Sequence, residues 1–99
     1  MMVCLLMTAT AFTQVEINET NFPDVSFRNY LLEQSYGEDG VITDTEIASI
    51  TDINVYGRNI SDLTGIKFFT NLVRFWCSNN YLTAIDLSGL TRLEYFGLY

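Results

Sequence analysis

The feature that most constrains this chain is a spaced set of residues, Leu72-x-x-Phe75-x-Cys77-x-x-Asn80-x-Leu82, that occurs more than once. It fills the pattern L-x-x-L-x-L-x-x-N/C-x-L at every defined position, with Phe75 and Cys77 in two of the leucine places. Upstream, Ile50-x-x-Ile53-x-Val55-x-x-Arg58-x-Ile60 repeats the spacing 22 residues earlier, and downstream Leu93-x-x-Phe96-x-Leu98 repeats it 21 residues later. Eleven apolar positions out of eleven are filled in a chain that is 48% hydrophobic. Even after tens of registers are allowed for, chance agreement is on the order of one in a hundred, so the repeat is real. The flanks agree as well: Thr70-Asn71-Leu72 matches Thr91-Arg92-Leu93, and Leu63-Thr64-Gly65-Ile66 matches Leu87-Ser88-Gly89-Leu90.

A unit with this pattern cannot bury its apolar edge alone, and stacking of copies supplies the missing cover. The spacing therefore predicts an α/β fold, a leucine-rich repeat solenoid of short parallel strands. The x-L-x-L-x core of each unit is the strand, with its apolar residues inward. Parallel stacking then aligns three outward columns: Asp52/Arg74/Tyr95, Asn54/Trp76/Gly97 and Tyr56/Ser78/Tyr99. Asn80 is the asparagine of the pattern, whose amide satisfies backbone groups where the chain leaves the strand. The first unit has Arg58 in that place, which suits an atypical terminal repeat. Gly65 and Gly89 mark turns on the opposite side.

Before the repeats the pattern changes to a helix-loop-helix cap. Val15 to Asn18 reads as a brief strand or an extended lead-in. Asn21-Phe22-Pro23-Asp24 starts a helix, with Asn21 as its N-cap. Phe27, Tyr30, Leu31 and Gln34 share one face, and the stop falls near Gly37. Thr43-x-x-Glu46 is a capping box that opens a second helix, Asp44 to about Ser49, with Ile47 and Ile50 directed at the first. Solenoid ends require such cover. The predicted organisation is a signal peptide at 1–14, a helical cap at 15–49, and repeats at 50–99, two complete and a third begun, as in the N-terminal fragment of a longer protein. The signal reading rests on a short apolar run ending in Ala9-Thr10-Ala11, too short to span a membrane. No Lys or Arg precedes Arg28, so either the true start lies upstream or this end is truncated.

Charge excludes some partners. Residues 16–46 hold eight acids against Arg28 alone, whereas residues 47–99 hold four acids and four bases. An acidic chain without a basic stripe argues against nucleic acid and anionic membranes. Cys4 and Cys77 make no disulfide framework. There is no His, no phosphate loop and no nucleophile elbow, which argues against catalysis. The loop from Ser35 to Glu46 half-fills a calcium-loop signature: Asp39, Gly40 and Glu46 fit, but Ser35 and Gly37 stand where two carboxylates belong. Asp39 and Glu46 are weak metal candidates, calcium is disfavoured, and no cofactor is implied.

The functional signal is the outward face of the strands. Asn54, Tyr56, Arg74, Trp76, Tyr95 and Tyr99 put aromatic, Arg and amide groups on one concave sheet, the residue types that dominate binding hot spots. The alternative is column stacking, in which Arg74 pairs with Asp52 and Trp76 shields the sheet edge.

These residues resemble the secreted leucine-rich repeat proteins of gut and oral bacteria, whose repeats read L-x-x-L-x-C-S-x-N-x-L-T-x-L-D-L-S. Here the stretch runs from Leu72 through Cys77, Ser78, Asn80, Leu82, Thr83, Ile85, Asp86 and Leu87 to Ser88. The stretch from Ile17 to Ile47 is similar to the cap those proteins place before their repeats. The resemblance implies an extracellular or cell-surface interaction and adhesion role toward a protein or glycan partner, with no membrane insertion after signal removal. It brings no catalytic residues.

Overall fold

A computed structural model describes residues 14–97; residues 1–13, where the expected signal peptide falls, and Leu98 and Tyr99 lie outside the described residues. In chain order the elements are β1 (Gln14–Glu16), α1 (Val25–Glu33), β2 (Val41–Thr43), α2 (Asp44–Ser49), β3 (Asp52–Asn54), a 3-10 turn (Ile66–Phe68), β4 (Arg74–Trp76) and β5 (Tyr95–Gly97). The last three strands form one parallel sheet in the order β3-β4-β5. The chain thus has the leucine-rich repeat architecture that its spacing predicts. The register is the predicted one: Asp52 pairs with Arg74 and Arg74 with Tyr95, while Asn54 pairs with Trp76 and Trp76 with Gly97. The ladder runs past the strand ends through Val55 N–H to Trp76 C=O (2.8 Å) and Gly57 N–H to Ser78 C=O (2.9 Å).

The inward residues of each unit merge into one core. Ile53, Val55, Ile60, Leu72, Phe75 and Cys77 are fully buried, and Ile50, Leu63, Ile66 and Leu90 nearly so. Phe96 stacks on Phe75 (centroids 6.1 Å apart) and is 40% exposed on its far side.

The N-terminal segment departs from the sequence expectation in three places. The α1 N-cap is Asp24, not Asn21: its carboxylate accepts the Ser26 and Phe27 N–H groups. Pro23 therefore precedes the cap, and Asn21 uses its amide to donate to the Glu16 carbonyl instead. Gly37 does not close α1 with a left-handed residue. The helix ends at Glu33, and Gly37 matters because a Cβ there would collide with the Leu31 carbonyl. The connection between the helices is also not plain loop, because β2 pairs antiparallel with β1. That pairing answers the open question at Val15: the lead-in is a strand because Val41–Thr43 offers it an edge. The Thr43/Glu46 capping box forms as predicted, and α2 has the predicted ends.

This segment packs on the first repeat. Phe22, fully buried, meets Phe27 edge-on (5.5 Å), and its ring lies 6.2 Å from that of Phe69. Tyr30 Oη accepts the Asn54 N–H (3.3 Å), a group on the side of β3 away from β4. A strand edge with unpaired amides is thereby covered by a side chain.

Candidate functional site

Strand alternation sends Asp52, Asn54 and Tyr56 outward from the first unit, Arg74 and Trp76 from the second, and Tyr95 and Gly97 from the third. Among the predicted contact residues, the structure brings Asn54, Tyr56, Arg74, Trp76 and Tyr95 onto one face, while Tyr99 is outside the described residues. Tyr56 and Tyr95 are about three-fifths exposed (59% and 62%) and Trp76 is half-buried. Arg74 Nη1 lies 3.0 Å from Asp52 Oδ1, so this column is an ion pair as well as part of the face. Trp76 and Tyr95 have ring centroids 6.3 Å apart and planes 33° from parallel. The Trp76 ring leans over Gly97, its Cδ1 3.4 Å from where a Cβ would sit. A methyl group at Gly97 would meet that ring at ordinary van der Waals distance.

Ser78 corrects the third predicted column. It is 5% exposed and does not reach the surface. Its short side chain stays low beside the Gly97 backbone, and the chain turns at Asn79 (φ 59°) directly after it. Asn79 itself is a face residue that the repeat pattern hides. Its Nδ2 donates to Tyr56 Oη at 2.7 Å, holding that ring from the neighbouring unit. A residue with positive φ after an inward run could have flagged it, since asparagine tolerates that conformation.

Behind the face, Asn80 ties the units together. Its Oδ1 accepts the Arg58 and Ile60 N–H groups (3.0 and 2.9 Å), and its Nδ2 donates to the Val55 and Cys77 carbonyls (2.8 and 2.9 Å). Arg58, in the equivalent place, has no preceding repeat to serve. Its guanidinium instead sits 4.9 Å above the Tyr30 ring and pairs with Glu33 (2.9 Å). That explains the exception in the first unit: the neighbour is a helix, so a long cation replaces a short amide.

On the opposite side, Asp62-Leu63-Thr64-Gly65 and Asp86-Leu87-Ser88-Gly89 make matching turns. Asp62 Oδ1 accepts the Thr64 N–H (2.8 Å), Asp86 Oδ1 accepts the Ser88 N–H (2.9 Å), and both glycines have positive φ. The Ser88 hydroxyl and N–H, with Lys67 next to them, hold the Asp86 carboxyl down at about 2. The Thr64 hydroxyl lowers Asp62 in the same way. A cleft of about 430 Å³ lies between these turns, with Lys67 and Ala84 in its wall.

The weak metal candidates are not brought together. Glu46 Oε1 accepts the Thr43 N–H in the capping box (2.9 Å), and Asp39 Oδ1 faces the Val41 N–H (3.3 Å). Among the described residues, no three His, Cys, Asp or Glu side chains are grouped to hold an ion. Burial pushes the Cys77 thiol up to about 11, which keeps it protonated and unreactive. Among the described residues, no helix is long and apolar enough to cross a membrane.

No family model matches the chain. Internalin J of Listeria monocytogenes serotype 4b (strain F2365) is 34% identical over 47 residues, 48% of this chain and 5% of that protein's length. Among solved structures, an internalin (InlF) from Listeria monocytogenes str. 4b F2365 superposes with a TM-score of 0.72 at 29% identity, over 81% of this chain and 24% of that one. The functional domain of InlJ from Listeria monocytogenes superposes with a TM-score of 0.68 at 26% identity, over 87% and 19%. That domain is described as including a cysteine ladder; here the place equivalent to Cys77 in the preceding unit holds Val55. The chain therefore spans a quarter or less of these relatives. Register, inward core, asparagine tie and structural likeness agree that the chain is a leucine-rich repeat protein, similar to the internalins.

Proposed function

We propose that this chain is an interaction module of an extracellular or surface-borne adhesion protein, and that it meets its partner on the outward face of β3, β4 and β5. The supporting observation is the joining of Tyr56, Trp76 and Tyr95 with Arg74 and Asn54 on one exposed surface, while the core residues behind them are fully buried. Aromatic and arginine side chains on a rigid support lose little freedom on binding and exclude much water, so such patches carry most of an interface's affinity. In this reading residues 15–49 are a cap that closes the start of the stack, and residues 1–14 are a secretion signal.

Partner capture by cells displaying the protein tests this. Trp76→Ala should reduce capture at least tenfold and leave the far-UV CD spectrum unchanged. Full capture by the variant would remove the face from consideration.

A further inference from the structure

We infer that the partner recognised on this face is an uncharged sugar chain lying diagonally across the strands. The inference rests on the reading of the face as a contact surface and adds the chemistry of what it holds.

The first observation is how the rings are arranged. Trp76 and Tyr95 come from the adjacent strands β4 and β5, with Tyr95 one column before Trp76, and Tyr56 stands one column after it in the turn that follows β3, so the three residues lie along an oblique stripe. Neighbouring strands are about 4.8 Å apart, and the Trp76 and Tyr95 centroids are 6.3 Å apart. That step is about the length of one pyranose unit, so two consecutive sugars of a linear chain meet Trp76 and Tyr95, and a chain that continues along the stripe runs on toward Tyr56. The apolar C–H face of a sugar ring stacks on an aromatic ring, whereas its hydroxyls need partners at the rim.

Asp52, Asn54 and Arg74 flank the stripe toward the strand starts and supply these partners; on the other side, among the described residues, Gly97 is small, Ser78 is buried and Asn79 is exposed beside Tyr56. A carboxylate and a guanidinium side by side offer paired acceptors and paired donors, which adjacent hydroxyls satisfy. Each polar group is already fixed by one internal bond: Arg74 to Asp52, Asn54 Oδ1 to the Tyr56 N–H (3.1 Å), and Tyr56 Oη to Asn79 (2.7 Å). Tyr56 Oη accepts in that bond, so its own hydrogen is free to donate outward. Groups held in place before binding give up less entropy when they bind.

Charge selects the class. Asp52 and Arg74 cancel, leaving the face neutral, while the acidic excess of the chain lies in residues 16–46. A cationic protein would be drawn to that acidic segment, and an anionic polysaccharide would be repelled by it. The exposed aliphatic side chains Val25 and Leu32 belong to α1 and not to the strands. Among the described residues the apolar part of the face is ring surface, against which the C–H faces of sugars stack.

Trp76 is the single tryptophan of the sequence, so its emission reports on the stripe directly. The test titrates the full chain with cellohexaose, chitohexaose and mannohexaose, each beside its own disaccharide. At least one hexasaccharide should change Trp76 emission saturably and bind at least tenfold tighter than its disaccharide, because only the longer chain extends beyond the Trp76 and Tyr95 pair to the polar rim and Tyr56. Tyr95→Ala and Arg74→Ala should each weaken it at least fivefold, and Phe68→Ala, on the opposite side, should leave it unchanged. Absence of saturable binding to all three hexasaccharides, or binding indifferent to Tyr95→Ala, overturns the inference. Trp76-dependent capture that survives enzymatic removal of glycans from the partner also overturns it, while leaving the face itself as the contact surface.

Discussion

Asn80 Nδ2 donates to the Val55 carbonyl at 2.8 Å, so a side chain of the second repeat completes the backbone of the first. The same amide accepts Arg58 and Ile60 N–H groups from that repeat. One residue thus does the work that a longer ladder does in an ordinary sheet, at the place where the strands end and the chains turn away. Buried backbone groups without partners cost about 1–3 kcal/mol each.

Asn80→Ala removes all of these bonds and leaves part-buried amides and carbonyls of both repeats unpaired. The expected loss is about 3–4 kcal/mol. Asn80→Asp keeps the acceptor but turns a carboxylate toward the Val55 and Cys77 carbonyls, so it should lose nearly as much. Urea midpoints of the two variants check this, and a loss below 1 kcal/mol for both would mean the tie is dispensable.

Asp24 joins α1 to the first repeat through its two carboxylate oxygens. Oδ1 caps the helix, and Oδ2 accepts the Ser61 and Asp62 N–H groups (2.8 and 3.1 Å). Asp24→Ser retains a helix cap but not the second pair of bonds. It should cost about 1 kcal/mol, against about 2–3 kcal/mol for Asp24→Ala. Thermal unfolding of the pair separates the capping contribution from the docking contribution.

The two turn glycines differ in a way that substitution exposes. Gly65 has φ 105°, and a Cβ there would lie 2.3 Å from Phe22 Cδ1 and 2.5 Å from the Asn21 carbonyl. Gly89 has φ 89° with nothing within 4 Å. Gly89→Ala should cost about 1–2 kcal/mol, from backbone conformation alone. Gly65→Ala must also displace a buried ring and should exceed it by at least about 2 kcal/mol. Equal losses in chemical denaturation would show that Phe22 yields freely.

Arg58→Asn restores the repeat's own residue to the first unit, yet it should destabilise the fold. The new amide finds α1 where a preceding repeat would be, while the contact with the Tyr30 ring and the Glu33 pair are both lost. Both are part-exposed, so the expected loss is about 1 kcal/mol. A gain in melting temperature would contradict this account of the exception.

Acid stability follows from Asp86 and Asp62. Both carboxyls are lowered in the folded chain, so the folded state binds fewer protons than the unfolded one in that range. Their contribution is therefore complete above the unfolded value near 3.8 and fades as pH falls toward about 2. Asp86→Asn should flatten the rise in urea midpoint between pH 2 and 4 and leave stability above pH 5 with no further pH dependence from this site. Since the Asp86 side chain and Lys67 are exposed, added salt should shrink the Lys67 share of the effect.

The sequence by itself determined the repeat, its register and the inward set, because a residue spacing repeated at 22 and 21 positions leaves one way to stack apolar edges. It also determined the capping box at Thr43 and Glu46, where four consecutive residues hold the whole interaction. What tertiary structure alone decided involves residues distant in sequence. The pairing of β1 with β2, the choice of Asp24 over Asn21 as cap, the burial of Ser78 and the reach of Asn79 to Tyr56 each depend on a neighbour 19 or more residues away. The outward face was legible in the sequence as a contact surface, but the 6.3 Å spacing of Trp76 and Tyr95 and the hold of Asn79 on Tyr56 were not. Local pattern fixes which way a side chain points, whereas the packed neighbours on either side fix what it stands beside.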